Sequence, residues 1–158
     1  MTASALSPDC HPRIRELHDY WLGLWHDGDT MPGRQDFSPF AVKHLLPDLW
    51  LLDVQHDPLR FRYRLIGTRI VERHGRDHTG RWVDEVHPSF VSPAVQGQFK
   101  SAAECGTVGW RRGHPLFAYD NRPGITIERI ILPLASDGAI VDMLLGLTIY
   151  RRGAEADD

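Results

Sequence analysis

The segment from Arg60 to Gly80 constrains the fold more than any other part of the sequence, because it combines a strand pattern with glycine interruptions. Phe61, Tyr63 and Leu65 alternate with arginines, as expected for a β-strand that buries one of its faces. Gly67 ends this strand, and a helix-like stretch with two further glycines follows it. The pattern predicts a half-buried antiparallel strand that leads directly into a short helical region.

The size and composition indicate one soluble globular domain. The chain has 158 residues, of which 42% are hydrophobic and 25% are charged, close to the averages for globular domains. A chain of this length buries about 70% of the surface that it exposes when unfolded, which is enough for one core. The net charge of −3 provides no overall attraction to nucleic acid or to an anionic membrane.

Cysteine usage and the lengths of the apolar runs indicate the compartment. Only Cys10 and Cys105 are present, which is too few for a disulfide scaffold and fits a reducing environment. No basic N-terminal segment leads into an apolar run, and the longest apolar stretch, around residues 143–149, is too short to span a bilayer. We therefore expect a cytoplasmic protein without nucleic-acid partners or membrane insertion.

The first helix is predicted over residues 12–26 of a single domain that extends from 11 to 151. A flexible leader at 1–10 precedes this domain and an acidic tail at 152–158 follows it. Pro12 suits a first helical turn, and apolar residues then recur at spacings of three and four. This apolar stripe consists of Ile14, Leu17, Trp21, Leu24 and Trp25.

The remaining elements are predicted from turn residues and periodicity. A short helix at 37–46, with Phe40, Ala41, His44 and Leu45 on one side, precedes strands at 49–54 and 60–67, and an Asp57-Pro58 turn connects these strands. Ser92 and Pro93 are predicted to begin a helix that Gly106 ends. Three strands follow at 108–119, 125–135 and 140–150, with turns at 120–124 and at Asp137-Gly138.

The resulting order is one helix, two strands, a helical middle and three strands, and four motifs in it resemble the bacterial PAS-like domain family of short stand-alone proteins. One motif is the 60–80 segment, and the others are Arg34-Gln35-Asp36-Phe37-Ser38-Pro39, Leu45-Leu46-Pro47-Asp48-Leu49 and Leu132-Pro133-Leu134-Ala135-Ser136-Asp137-Gly138. The resemblance implies an α+β fold with a five-stranded antiparallel sheet, helices on one face and an N-terminal amphipathic helix. It also implies a ligand cavity between sheet and helices.

Candidate cavity residues are the apolar side chains expected between the sheet and the helical middle: Leu65, Trp82, Phe99, Ile127, Met143 and Leu145. On the last strand, Met143, Leu145, Leu147 and Ile149 are predicted to share the cavity face, an arrangement that core packing alone would also explain. Leu144, Gly146 and Tyr150 then lie on the opposite face. The apolar stripe of the first helix is predicted to cover that face, within one subunit or exchanged in a homodimer.

The sequence contains no phosphate loop, nucleophile elbow, zinc helix or dinucleotide fingerprint. The remaining candidates for acid–base or metal chemistry are His74, Asp77, His78, Asp84, Glu85 and His87. Some PAS domains carry haem on a helical histidine, so the histidines also raise that alternative. Neither cysteine occupies the helical middle, where a flavin photosensor needs one.

The sequence predicts a non-catalytic sensory or interaction module that binds a small apolar or amphipathic ligand and signals through a separate protein partner. The first helix is the predicted partner or homodimer surface. Two alternatives remain at this point: a small cone-shaped enzyme that uses a His/Asp pair, and a ligand-free adaptor with a filled core. The ligand, any cofactor and the signalling partner are left open by the sequence.

Overall fold

The computed structural model describes residues 6–25, 27–28, 30–115 and 124–152. The helices are α1 (Pro12–Gly23), α2 (Thr68–His74), α3 (Val83–Val86) and α4 (Pro93–Cys105), with 3₁₀ segments at Arg34–Asp36, Pro39–Asp48 and Pro88–Val91. The strands are β1 (Leu49–Gln55), β2 (Arg60–Ile66), β3 (Gly109–Gly113), β4 (Ile125–Leu134) and β5 (Met143–Arg152). Among the described residues, no helix is both long enough and apolar enough to cross a membrane.

The five strands form one antiparallel sheet in the order β2-β1-β5-β4-β3. This arrangement confirms the predicted α+β fold, the β1–β2 pairing and the position of the helical middle between the second and third strands. The hairpin between the last two strands is also present, although its connection spans residues 135–142 rather than a two-residue turn. The first helix ends at Gly23, so the predicted helix over residues 12–26 is too long by at least Leu24 and Trp25. Residues 116–123 of the predicted strand end and turn, His26, and residues 1–5 and 153–158 of the predicted leader and tail lie outside the described residues.

Helix α1 packs on one face of the sheet within the same chain, and we call this the α1 face. Ile14 and Leu17 are fully buried there, and the Trp21 indole donates a hydrogen bond of 3.0 Å to the Pro133 carbonyl. Their sheet neighbours include Leu145, Leu147 and Ile149 of β5. The predicted cover by the first helix is thus formed inside one subunit.

The opposite face, which we call the cavity face, packs against α2, α3 and α4. Trp50, Leu52, Phe61 and Leu144 contribute to this second core from the sheet. Helix α4 contributes Phe99 and two alanines, and its left-handed cap at Gly106 was predicted from the sequence. The cavity face therefore holds a core of its own, separate from the core under α1.

The predicted faces of β5 are wrong. Leu145, Leu147 and Ile149 pack under α1, whereas Leu144, Gly146 and Tyr150 are on the cavity face. Because side chains alternate along a strand, an error of one residue exchanges the two faces. Both sets are apolar enough to be buried, so their alternation does not distinguish the helices that cover them.

Leu65 is displaced from its predicted face by an irregularity in β2. Leu51 pairs with Leu65 but Leu52 pairs with Tyr63, so Arg64 is an additional residue in the ladder. Such a β-bulge reverses the alternation beyond it, and Leu65 packs with the α1 core. Gly67 then ends the strand where a Cβ atom would lie 2.3 Å from the carbonyl oxygens of Leu46 and Pro47.

The short helix before β1 is a 3₁₀ helix, which changes the side that it buries. Val42, Leu45 and Asp48 are buried at intervals of three residues, as expected for three residues per turn. Phe40 was predicted to lie on the same side of this helix as Leu45, but it is 88% exposed, so this part of the prediction is wrong.

Candidate functional site

A cavity lies between the sheet and the helices α2, α3 and α4. About 600 Å³ of space lies inside it when the part that is open to solvent is counted. Its lining is mostly apolar or aromatic: Trp50, Leu52, Tyr63, Ile70, His74, Val83, Phe99, Pro115, Ile127, Arg129, Thr148 and Tyr150.

The sheet side of the cavity is built around Trp50. Its indole lies over Gly146, where a Cβ atom would come within 1.9 Å of the ring. The indole nitrogen donates a hydrogen bond of 3.0 Å to the Thr148 hydroxyl. The Phe99 ring of α4 stacks against the indole at a centroid distance of 5.9 Å. These contacts fix two flat aromatic surfaces inside the cavity.

Arg129 is the one arginine in this lining, and its residue surface is only 4% exposed. Its Nη2 donates a hydrogen bond of 2.9 Å to Gln98 Oε1, and its guanidinium lies 4.7 Å from the centroid of the Phe99 ring. Its Nε is buried and has no hydrogen-bond partner among the described residues. Burial, followed by the positive charge of Arg111, lowers the pKa of Arg129 to about 10, so the side chain remains a cation at neutral pH.

Three histidines gather at the α2 and α3 side of the cavity. The rings of His74, His78 and His87 have centroid separations of 5.5 to 6.2 Å. The Tyr63 hydroxyl and His87 Nε2 are hydrogen bonded at 2.6 Å. Burial is the main cause that lowers the pKa of His74 to about 4 and that of His87 to about 3. Both are therefore neutral at pH 7.

The carboxylates named with these histidines are engaged elsewhere. Asp77 accepts hydrogen bonds from the backbone and the hydroxyl of Thr79. Asp84 forms a two-point contact with Arg60 at 2.8 and 3.0 Å, and Glu85 lies 3.5 Å from the same guanidinium. In the part of the chain that the structure describes, no group of three or more His, Cys, Asp or Glu side chains is arranged to hold a metal ion.

The structure brings two of the predicted cavity residues, Phe99 and Ile127, into the lining. Leu145 and Met143 belong to the α1 core, as does Leu65 beyond the bulge. Trp82 lies outside the cavity beside β2, with its ring stacked under the Arg60 guanidinium at 4.1 Å. Whether any of the six binds a ligand stays a prediction.

Arg129, Trp50 and Thr148 line the cavity but were not predicted to do so. Arg129 follows Glu128 in the apolar run Ile125 to Leu134. Adjacent charged residues in a strand that is otherwise apolar place one charge on each face of the sheet. This pair could therefore have indicated that one of the charges faces the cavity. Trp50 carried no such signal, because a tryptophan in an apolar strand is equally typical of a core.

The predicted interface stripe of α1 is largely internal. Ile14, Leu17 and Trp21 are at most 2% exposed, whereas Leu24 and Trp25 are half-buried at the end of the helix. Trp25 packs against both cores. A partner that contacts the whole stripe would therefore have to displace α1 from the sheet.

Comparisons with known proteins agree with this architecture. A family model described as a PAS domain matches residues 10–149. The fold is similar to the crystal structure of a sensory box sensor histidine kinase from Vibrio cholerae, with a TM-score of 0.51 and 11% sequence identity, over 72% of this chain and 90% of that one. No curated protein matches the sequence. The family match extends from two residues before α1 into β5, and on this ground the chain belongs to the PAS domain family.

Proposed function

We propose that this PAS domain is a non-catalytic, cytoplasmic sensory module that binds a small amphipathic ligand in its cavity and signals to a separate protein. The observation that carries the proposal is the mostly apolar and aromatic lining of the cavity between the sheet and α2 to α4. Its aromatic surfaces with a few fixed polar groups are typical of sites that bind small molecules.

The helices that line the cavity suit a population-shift mechanism. Ile70 and His74 come from the seven-residue α2, and Val83 comes from the four-residue α3. Helices this short depend on tertiary packing for their stability. A ligand that contacts them in only one arrangement would stabilise that arrangement and shift the population toward it.

Helix α1 is the proposed output element. Trp25 is in contact with both cores, so a rearrangement on the cavity face has a direct route to the end of α1. Trp21 stacks edge-on against Trp25 at 5.4 Å. A homodimer or another partner would then compete with the sheet for this helix.

Native mass spectrometry and absorbance of the purified protein test the proposal, since both detect a retained molecule or chromophore without a guess at its identity. Ile127→Trp places an indole in the cavity and should abolish retention in a folded protein. Thr126→Trp is the matched control, because Thr126 is the adjacent residue and points to the other face of the same strand. Equal retention by the two variants would contradict binding in this cavity.

Absence of any retained or added ligand in the wild type would favour the ligand-free adaptor instead. The proposed lack of catalysis has its own test. His74→Ala with His78→Ala should leave partner capture unchanged, whereas an activity that this double variant abolishes would support the His-based enzyme.

A further inference from the structure

The buried cation of Arg129 has no counter-anion among the residues that the structure describes. Each of its contacts among the described residues is with a neutral group: the Gln98 amide oxygen and the Phe99 ring. No carboxylate of the described residues forms an ion pair with it. Burying a charge without a counter-charge is unfavourable, so an anion that pairs with Arg129 would be stabilised.

The neighbouring strand adds a second positive charge on the same face. Arg111 of β3 is paired with Arg129 in the sheet register. Its Nη2 donates to the His114 carbonyl, and its Nη1 is buried without a hydrogen-bond partner among the described residues. Two adjacent guanidinium groups repel each other, whereas an anion placed between them would be attracted to both.

The remaining lining determines what kind of anion fits. Trp50, Phe99 and Ile127 provide apolar surfaces next to the guanidinium, so a molecule that extends from Arg129 into the cavity must be largely apolar. The Nε–H of Arg129 has no hydrogen-bond partner among the described residues, so it is available to donate to a ligand. A guanidinium can donate two parallel hydrogen bonds to the two oxygens of a carboxylate.

We propose, on the basis of the function proposed above, that the ligand of this cavity is an amphipathic carboxylate whose anionic group binds Arg129 and whose apolar part packs against the apolar lining formed by Trp50, Phe99 and Ile127. Arg129 is then the residue that selects an acid over a neutral molecule of the same shape. Arg111 strengthens the binding from the edge strand.

Matched pairs of acids and alcohols test this directly by isothermal titration calorimetry. The probes are octanoate with 1-octanol, phenylacetate with 2-phenylethanol, and indole-3-acetate with indole-3-ethanol. In at least one pair the acid should bind the wild type about 10- to 100-fold more tightly than its alcohol, the usual contribution of a charge-assisted hydrogen bond. Arg129→Met should remove this preference. Arg129→Lys keeps the positive charge but lacks the paired N–H donors of a guanidinium, so it should retain part of the preference.

The outcomes separate this inference from the proposed function. Alcohols that bind the wild type as tightly as the acids, a retained ligand that is neutral or cationic, or an acid preference that survives in Arg129→Met would each overturn the carboxylate assignment and leave ligand sensing intact. If no probe binds and no molecule is retained, the ligand-binding proposal fails together with this inference. The comparison of acid and alcohol affinities in the wild type tests the inference even if a variant does not fold.

Discussion

Glu128 and Arg129 are consecutive residues of β4 that point to opposite faces of the sheet, and both are almost completely buried. On the α1 face, Glu128 lies 3.0 Å from Arg112 and 3.6 Å from Arg151, and accepts hydrogen bonds from the His11 backbone and the Trp110 indole. On the cavity face, Arg129 has only neutral partners among the described residues.

The difference between the two residues separates a structural charge from a charge suited to binding. The Glu128 network joins the start of α1 to β3, β4 and β5, so its attraction is already used in the folded protein. Arg129 contacts only neutral groups among the described residues, so its positive charge is not neutralised in this way. The buried charge on the α1 face is therefore neutralised by its partners, whereas the one on the cavity face has no counter-charge among the described residues.

The largest expected effect is the loss of the Glu128 charge. Glu128→Gln removes the buried carboxylate that Arg112 and Arg151 share and should lower the free energy of unfolding by about 2–3 kcal/mol, because hydrogen bonds to a charged group are lost. Urea denaturation measures this change. Asp9→Asn is the control, because it removes an exposed contact of the same Arg112 and should change stability much less than Glu128→Gln does. Equal effects would remove the distinction between the two faces.

A smaller loss is expected from Gly146→Ala on the cavity face. The added Cβ would overlap the Trp50 indole, and such overpacking costs about 1–3 kcal/mol. Gly23→Ala at the end of α1 is the control, since a Cβ there has no atom within 4 Å. Thermal unfolding compares the two variants. A variant at Gly146 as stable as that at Gly23 would show that the aromatic wall of the cavity is not rigid.

Acid should destabilise the protein through its cavity-side histidines. The pKa values of His74 and His87 are about 4 and about 3 in the folded protein, below their ordinary value of 6.5. The unfolded state therefore binds more protons between pH 6.5 and 4, so stability is complete above this window and falls as the pH drops through it. Unfolding free energies measured from about pH 7 to about pH 4.5 test this sign.

The histidine variants locate this effect. The His78 ring lies beside the rings of His74 and His87. Burial, and then the charges of Arg81 and Arg76, lower the pKa of His78, whereas Asp77 raises it. His74→Leu with His87→Phe should reduce the loss of stability in acid. A steeper slope in the double variant would contradict the predicted direction.

The smallest effect is expected for Arg129→Met without ligand. Replacing an unpaired buried cation by an apolar side chain should change the free energy of unfolding by less than about 1 kcal/mol, or increase it. This outcome would be opposite to that of Glu128→Gln at the adjacent position. A loss of several kcal/mol would show that Arg129, like Glu128, is a structural charge.

The candidate site was only partly predictable, and its residues show why. Phe99 was placed correctly because the helical period of α4 identifies its buried side. Leu65 was misplaced because the bulge at Arg64 depends on how β2 pairs with β1. Arg129 was missed because its lack of a counter-charge depends on β3 and α4, which are distant along the chain.

The sequence by itself determined the order of helices and strands, since periodicity, proline and glycine act through local backbone geometry. It also indicated the PAS family from Arg60 to Gly80 and three shorter motifs. Only the tertiary structure decided which face of β5 lies under α1, and which of the two charges on β4 is neutralised. Those outcomes depend on strand register and on partners from distant segments, and a one-residue alternation is compatible with either face.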